Sequence, residues 1–120
     1  MELGEQRQTI LVVDDQCAIY KLVRAFLEGQ GYTVLTSDGT KRALKLYRKH
    51  QSTVALLLAD LEIPKGGGLK LANRVLQLEP QLKVLFMSAT ERVNRGFGCV
   101  RKPFTQDHLI SRVNEVLGWA

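Results

Sequence analysis

Five side chains in this 120-residue sequence suit a single chemistry: Asp14, Asp15, Asp60, Ser88 and Lys102. Carboxylates brought together repel one another and need a compensating cation. Hard oxygen ligands with open positions suit Mg2+, which keeps several waters and binds alongside phosphate. A hydroxyl and a lysine then remain to hold phosphate oxygens. Such a set fits phosphoryl transfer, in which positioning and charge neutralisation do most of the work. An aspartate can itself be the nucleophile and form an acyl phosphate. No glycine-rich loop of the Walker type is present, so ATP is not the obvious donor. Taken singly, each residue has a plainer explanation, since an Asp after a strand is commonly a turn or helix cap. The chemistry therefore depends on whether the chain brings the five together.

The pattern of apolar residues says that it does. "TILVVDD" carries a continuous run from Ile10 to Val13 and ends at Asp14 and Asp15. A run with no polar face is a strand covered on both sides, as in a parallel sheet. "TVALLLAD" (53–60) and "LKVLFMS" (82–88) repeat the pattern and end at Asp60 and Ser88. "YTVLT" (32–36) and the short "GCVRK" (98–102) supply two further strands, the last ending at Lys102. Between them, Ile19, Leu22, Val23, Phe26 and Leu27 recur at helical spacing, with Gly29 and Gly31 bracketing the end. Residues 38–50 read as a helix with Ala43, Leu44 and Tyr47 inward and its bases outward. A third helix, 67–79, uses Leu71, Val75 and Leu78 and stops near Pro80. The last, 105–118, opens on a Thr105 cap, closes on Gly118 and carries a stripe through Leu109, Ile110, Val113, Val116 and Leu117. Strands alternating with helices imply right-handed crossovers and a doubly wound α/β domain. Sites in such sheets form outside the carboxyl ends of the strands, where all five residues fall.

Bulk properties narrow the classes. The length suits one domain, and 45% apolar with 24% charged residues is ordinary for a globular protein. Cys17 and Cys99 lie far apart without metal-ligand spacing, which gives no disulfide framework and fits a reducing compartment. There is no apolar run of about 20 residues, and "MELGEQRQ" lacks the basic start and apolar core of a signal peptide. A cytoplasmic location without membrane contact is expected. The net charge of +5 can attract nucleic acid, acidic lipid or an acidic protein face. Lys41, Arg42, Lys45, Arg48 and Lys49 cluster on the second helix, with Arg74, Arg92, Arg95 and Arg101 elsewhere. No helix-turn-helix, zinc spacing or aromatic platform accompanies them, so nucleic acid is not an expected partner.

"ILVVDD", "LLLADLEIP", "VLFMSA" and "VRKPF" together resemble, in order, the signature segments of the response-regulator receiver domain, over about residues 9–118. The resemblance implies a flavodoxin-like sheet of five parallel strands in the order 2-1-3-4-5. It implies a tail at 1–8, a receiver at 9–118 and a tail or truncation at 119–120. By that pattern Asp60 is the phosphoacceptor, fed with Mg2+ from a histidine kinase or a histidine phosphotransfer domain. Asp15 is the direct metal ligand, Asp14 acts mainly through water, and the backbone carbonyl of Glu62 completes the protein's share of the shell. Ser88 matches the hydroxyl residue that senses the phosphoryl group, and Lys102 the family's lysine. The Lys102–Pro103 bond is expected to be cis, with the ammonium over the pocket. "LKVLFMSA", "RKPFT" and "LISRVNEVLG" look like receivers at the C-terminal end of hybrid sensor histidine kinases; a free-standing regulator is the other context. Two other readings keep part of the pattern. A haloacid-dehalogenase-like phosphatase also forms an aspartyl phosphate and needs an acid two residues later, an offset that Glu62 has, though the strand-one acid pair belongs to receivers. A degenerate receiver used for docking or dimerisation would have no need of all five pocket residues.

Four departures stand out. Glu62 adds a carboxylate near the pocket, which can disfavour an incoming anion or position or repel attacking water, so an altered aspartyl-phosphate lifetime is expected. Gly66, Gly67 and Gly68 read as either a mobile loop or a tight turn into the third helix. Cys99 stands where the family carries a switching aromatic, and a small soft thiol cannot sweep that volume. Phe97 shares its face only if the strand reaches that far. Finally, Ser88 and Lys102 are roughly eight residues closer than in most receivers, about two helical turns. The helix usual between strands four and five is therefore expected to be shortened or lost, leaving a remnant turn or loop at 90–97. That helix belongs to the usual dimer face, so a homodimer would use an altered surface.

Overall fold

The computed structural model describes residues 8–90 and 96–118. Five parallel strands, β1 (Thr9–Val13), β2 (Thr33–Ser37), β3 (Val54–Asp60), β4 (Lys83–Ser88) and β5 (Gly98–Arg101), lie in the order β2-β1-β3-β4-β5. The helices are α1 (Cys17–Glu28), α2 (Thr40–Lys49), α3 (Gly67–Leu78) and α4 (Gln106–Leu117). This is the doubly wound architecture the alternating pattern implies.

The unbroken apolar strands are explained by two cores. Successive side chains point to opposite faces of a strand. Ile10 and Val12 of β1 join Leu56 and Leu58 of β3 and Leu85 and Met87 of β4 under α1 and α4, whose Val23, Leu27, Leu109 and Val113 close that side. Leu11, Val13, Leu57, Ala59, Val84 and Phe86 face the other way, against Ala43, Tyr47, Leu71, Ala72 and Val75 of α2 and α3. Complete burial of one such Leu or Ile stabilises the fold by about 1.5–3 kcal/mol.

Some boundaries and faces differ from the sequence reading. β2 runs one residue further on, to Ser37, and α2 starts at Thr40. Leu22 is 44% exposed, because it sits about 100° around α1 from Val23, at the margin of the buried stripe. Leu78, the last residue of α3, is 38% exposed. The Thr105 cap is present: its hydroxyl accepts the His108 N–H at 3.1 Å. Gly118 ends α4 at φ 82°, the left-handed region that glycine tolerates.

Among the described residues no α-helix stands between β4 and β5. Ala89, Thr90, Gly96 and Phe97 are not helical; the rest of the expected loop, 91–95, lies outside the described residues. Phe97 packs edge-on against Phe86 with ring centroids 5.3 Å apart. Phe97 and Cys99 both lean on the core shared with α2 and α3, so they occupy one face. Their two-residue offset on adjoining extended chain explains this.

Candidate functional site

The carboxyl ends of β1, β3, β4 and β5 converge at one edge. Asp14 continues β1 and is anchored by its own N–H, which donates to the Ser37 carbonyl at 3.1 Å. Its side chain is fully buried. One carboxylate oxygen, Oδ1, accepts the Gln16 N–H at 2.9 Å, and Oδ2 accepts from Lys102 Nζ at 2.8 Å. Asp60 ends β3 and is 3% exposed. Its Oδ1 accepts the Glu62 N–H at 3.1 Å and lies 3.4 Å from Lys102 Nζ. Among the described residues no hydrogen bond to Oδ2 of Asp60 is found. Asp15 is exposed beside them, and one carboxylate oxygen from each of Asp14, Asp15 and Asp60 lies within 4.8 Å of the others.

The lysine arrives from the far side of the sheet. Its backbone N–H donates to the Ser88 carbonyl at 2.7 Å, which extends the pairing of β4 and β5 past Arg101. The Lys102–Pro103 bond is cis, as expected. Burial alone would push the Lys102 ammonium down; the hydrogen bond and charge of Asp14, with the charge of Asp60, outweigh it and hold the group above its ordinary value. Burial raises the Asp60 carboxyl above the usual carboxylate value. The Glu62 N–H and the Lys102 charge work against that rise, and Asp14 and Glu62 add to it.

Turn chemistry at the end of β3 sets the floor. Gly68 in the first turn of α3 is buried because the helix start passes close to Asp60. A Cβ at Gly68 would fall 2.3 Å from the Asp60 carbonyl oxygen. Only glycine permits that approach. Lys65 and Gly66 both adopt left-handed backbone, at φ 63° and 68°, in the turn that precedes it. The glycine triplet is thus built as a tight turn, with Gly67 and Gly68 packed inside.

Glu62 is the feature the sequence underdetermined. Its carboxylate folds back across the end of β4. Oε2 accepts the Ser88 hydroxyl at 2.6 Å, and Oε1 accepts the Ala89 N–H at 2.9 Å. Ser88 is completely buried and also accepts the Thr90 N–H at 3.1 Å. Cys99 is half-buried behind this group; burial, then the Glu62 charge, pushes its thiol up. Cys99 packs against the core shared with α2 and α3.

The response regulator receiver domain model matches residues 10–114. The chain belongs to that family. Similar curated proteins include the transcriptional regulatory protein CreB of Escherichia coli, 31% identical over 93% of this chain and 52% of its own length. The probable transcriptional regulator ycf27 of Porphyra purpurea is 30% identical over 96% of this chain and 49% of its own. The chain therefore spans about half the length of the curated relatives it matches. Among solved structures, the receiver domain of the hybrid histidine kinase CckA superposes with a TM-score of 0.81 at 28% identity, over 91% of this chain and 98% of that one. A CheY from Borrelia burgdorferi, solved with CheX, beryllofluoride and magnesium, shares the fold at 19% identity, with a TM-score of 0.85 over 93% and 90% of the two chains. The relatives thus include regulators as well as a hybrid kinase, so the family is broader than the hybrid-kinase subgroup the sequence suggested. The Asp14, Asp15 and Asp60 cluster of this receiver matches a phosphoacceptor and Mg2+ site. Among the described residues no helix is long and apolar enough to cross a membrane.

Proposed function

We propose that this receiver accepts a phosphoryl group from a histidine onto Asp60 Oδ2. The observation that carries the reading is the position of Lys102 Nζ, 2.8 Å from Asp14 and 3.4 Å from Asp60, beside an Asp60 oxygen that accepts no hydrogen bond among the described residues. In the transfer an oxygen–phosphorus bond forms at Asp60 while the bond from phosphorus to the donor nitrogen breaks. The donor imidazole leaves with its electron pair. Lys102 is placed to neutralise charge on the entering phosphoryl oxygens, and the buried Asp14 holds that ammonium in position.

Oxygens of three carboxylates within 4.8 Å of one another fit a hard divalent cation. Asp15, Asp14, Asp60 and the Glu62 backbone carbonyl are the groups that would hold Mg2+, which supplies charge neutralisation to the phosphoryl oxygens when bound. The donor is a histidine kinase or a histidine phosphotransfer domain, in the cytoplasm. The likeness to the CckA receiver supports a hybrid-kinase setting, and the likeness to CreB supports a regulator. The same pocket serves both, within a receiver unit spanning 9–118.

The test is exposure of the purified chain to a small acyl-phosphate donor with Mg2+, followed by intact mass. The chain gains one phosphoryl group. Asp60→Asn gains none, and chelation of Mg2+ abolishes the gain in wild type. An undiminished gain in Asp60→Asn contradicts the proposal.

A further inference from the structure

We infer that Glu62 is a built-in competitor for the phosphoryl group: its carboxylate occupies the Ser88 hydroxyl and the Ala89 N–H, the two donors at the end of β4 beside the Asp60 strand end. The inference rests on the phosphoacceptor reading and concerns how that site is controlled.

The donor count carries it. A serine hydroxyl has one proton, and a backbone amide has one. The nearest acceptor for the Ser88 proton is Glu62 Oε2 at 2.6 Å, with Thr90 Oγ1 at 3.1 Å and the Thr90 carbonyl at 3.2 Å behind it, and the Ala89 proton goes to Oε1 at 2.9 Å. The lone pairs of Ser88 are engaged as well, because Thr90 N–H donates to Oγ at 3.1 Å. Neither donor can therefore serve an oxygen on Asp60 while Glu62 stays in place. Both hydrogen bonds are charge-assisted, the stronger kind.

Local structure brings the carboxylate there. The Glu62 N–H donates to Asp60 Oδ1, which folds the chain back directly after β3. The Leu61 N–H, donating to the Met87 carbonyl at 2.8 Å, ties that turn to the end of β4. Glu62 then faces Ser88 and Ala89, two anion-ready donors on the neighbouring strand end. A planar carboxylate with two oxygens is a good steric substitute for two oxygens of a phosphoryl group. Glu62 itself is exposed, so water is available to it when it is displaced.

Two consequences follow for this receiver. An anion at Asp60 must first expel Glu62, which weakens binding. The Ser88 hydroxyl is already committed to an anion before phosphorylation, so its reorientation on phosphorylation is small. Together with Cys99 in place of an aromatic, this reduces the mechanical response expected from the β4–β5 side.

The experiment is calorimetric titration of beryllofluoride with Mg2+ into the full chain and its variants. Glu62→Ala should bind about tenfold more tightly than wild type, the size expected for releasing charge-assisted donors. Glu62→Gln keeps one acceptor oxygen and should fall between the two. Simple charge repulsion would instead give Gln and Ala the same gain. In a Ser88→Ala background the gain from Glu62→Ala should shrink, since one of the contested donors is gone. The Ala89 amide proton resonance of the unligated protein should move upfield in Glu62→Ala. Equal affinity of wild type and Glu62→Ala, or a gain of equal size in Glu62→Gln, overturns the competitor alone. Absence of beryllofluoride binding in every variant overturns the phosphoacceptor reading and the competitor with it.

Discussion

The two sides of the pocket are closed by opposite charges. On one side Lys102 is held by Asp14 and Asp60, so a cation sits where the proposed transfer would bring negative charge. On the other side Ser88 and Ala89 point their donors at Glu62, so an anion sits there already. On the proposed reading the cationic side is already paired and awaits only the metal and the donor. The anionic side is satisfied in the resting protein and must be vacated. The difference separates two properties that a receiver usually couples: the ability to take a phosphoryl group and the ability to register that it has done so.

Breaking the cationic side should have the largest effect. Lys102→Ala leaves Asp14 buried with one partner fewer and removes the charge that meets the phosphoryl oxygens. Its rate of phosphorylation by a small donor should fall about 100-fold, in the range for loss of one preorganised electrostatic contact. Stopped-flow or quenched mass measurements check this. A rate within a few-fold of wild type would mean that Lys102 serves stability rather than transfer.

Disturbing the floor beneath both sides comes next. Gly68→Ala places a Cβ against the Asp60 carbonyl, a backbone atom that cannot rotate away. A loss of about 1–3 kcal/mol in denaturant unfolding is expected, the usual cost of overpacking. Phosphorylation should slow as well, because the displaced group belongs to the phosphoacceptor itself.

The smallest effect concerns the charge on Asp60. Its carboxyl is raised, chiefly by burial, so folding favours the protonated form. Stability tied to this group is present at acid pH and is lost as pH rises through the raised folded value. Asp60→Asn escapes that loss. It should match wild type below the unfolded carboxyl value of about 3.9 and melt about 2–5 °C higher at neutral pH without metal. Added Mg2+ should narrow the gap by stabilising wild type alone. A variant that melts lower than wild type at neutral pH would show that Lys102 already compensates the charge fully.

Much of this site is legible in the sequence because it depends on strand ends. Asp14, Asp60 and Ser88 each end an apolar run, Lys102 follows the short strand "GCVR", and parallel pairing brings such ends together without further information. The short link between β4 and β5 is visible as a count. Glu62 is different. Its spacing from Asp60 shows that a carboxylate is near, but its direction is set by donors 26 and 27 residues later in the chain. Leu22 fails for a related reason, since helical spacing identifies a stripe but does not fix its edge. The need for glycine at Gly68 becomes physical only when the distance to the Asp60 carbonyl is known. The packing of Phe97 on Phe86 likewise depends on where the chain re-enters the sheet.

The central claim, that Asp60 takes the phosphoryl group, is tested most directly by locating the acyl phosphate. The chain is treated with an acyl-phosphate donor and Mg2+, reduced with borohydride and cleaved into peptides for mass spectrometry. Reduction converts a phosphorylated aspartate to homoserine. Homoserine is expected at position 60, with aspartate unchanged at 14 and 15. Homoserine at either of those positions, or a stable phosphate on Ser88 with Asp60 unchanged, would contradict it.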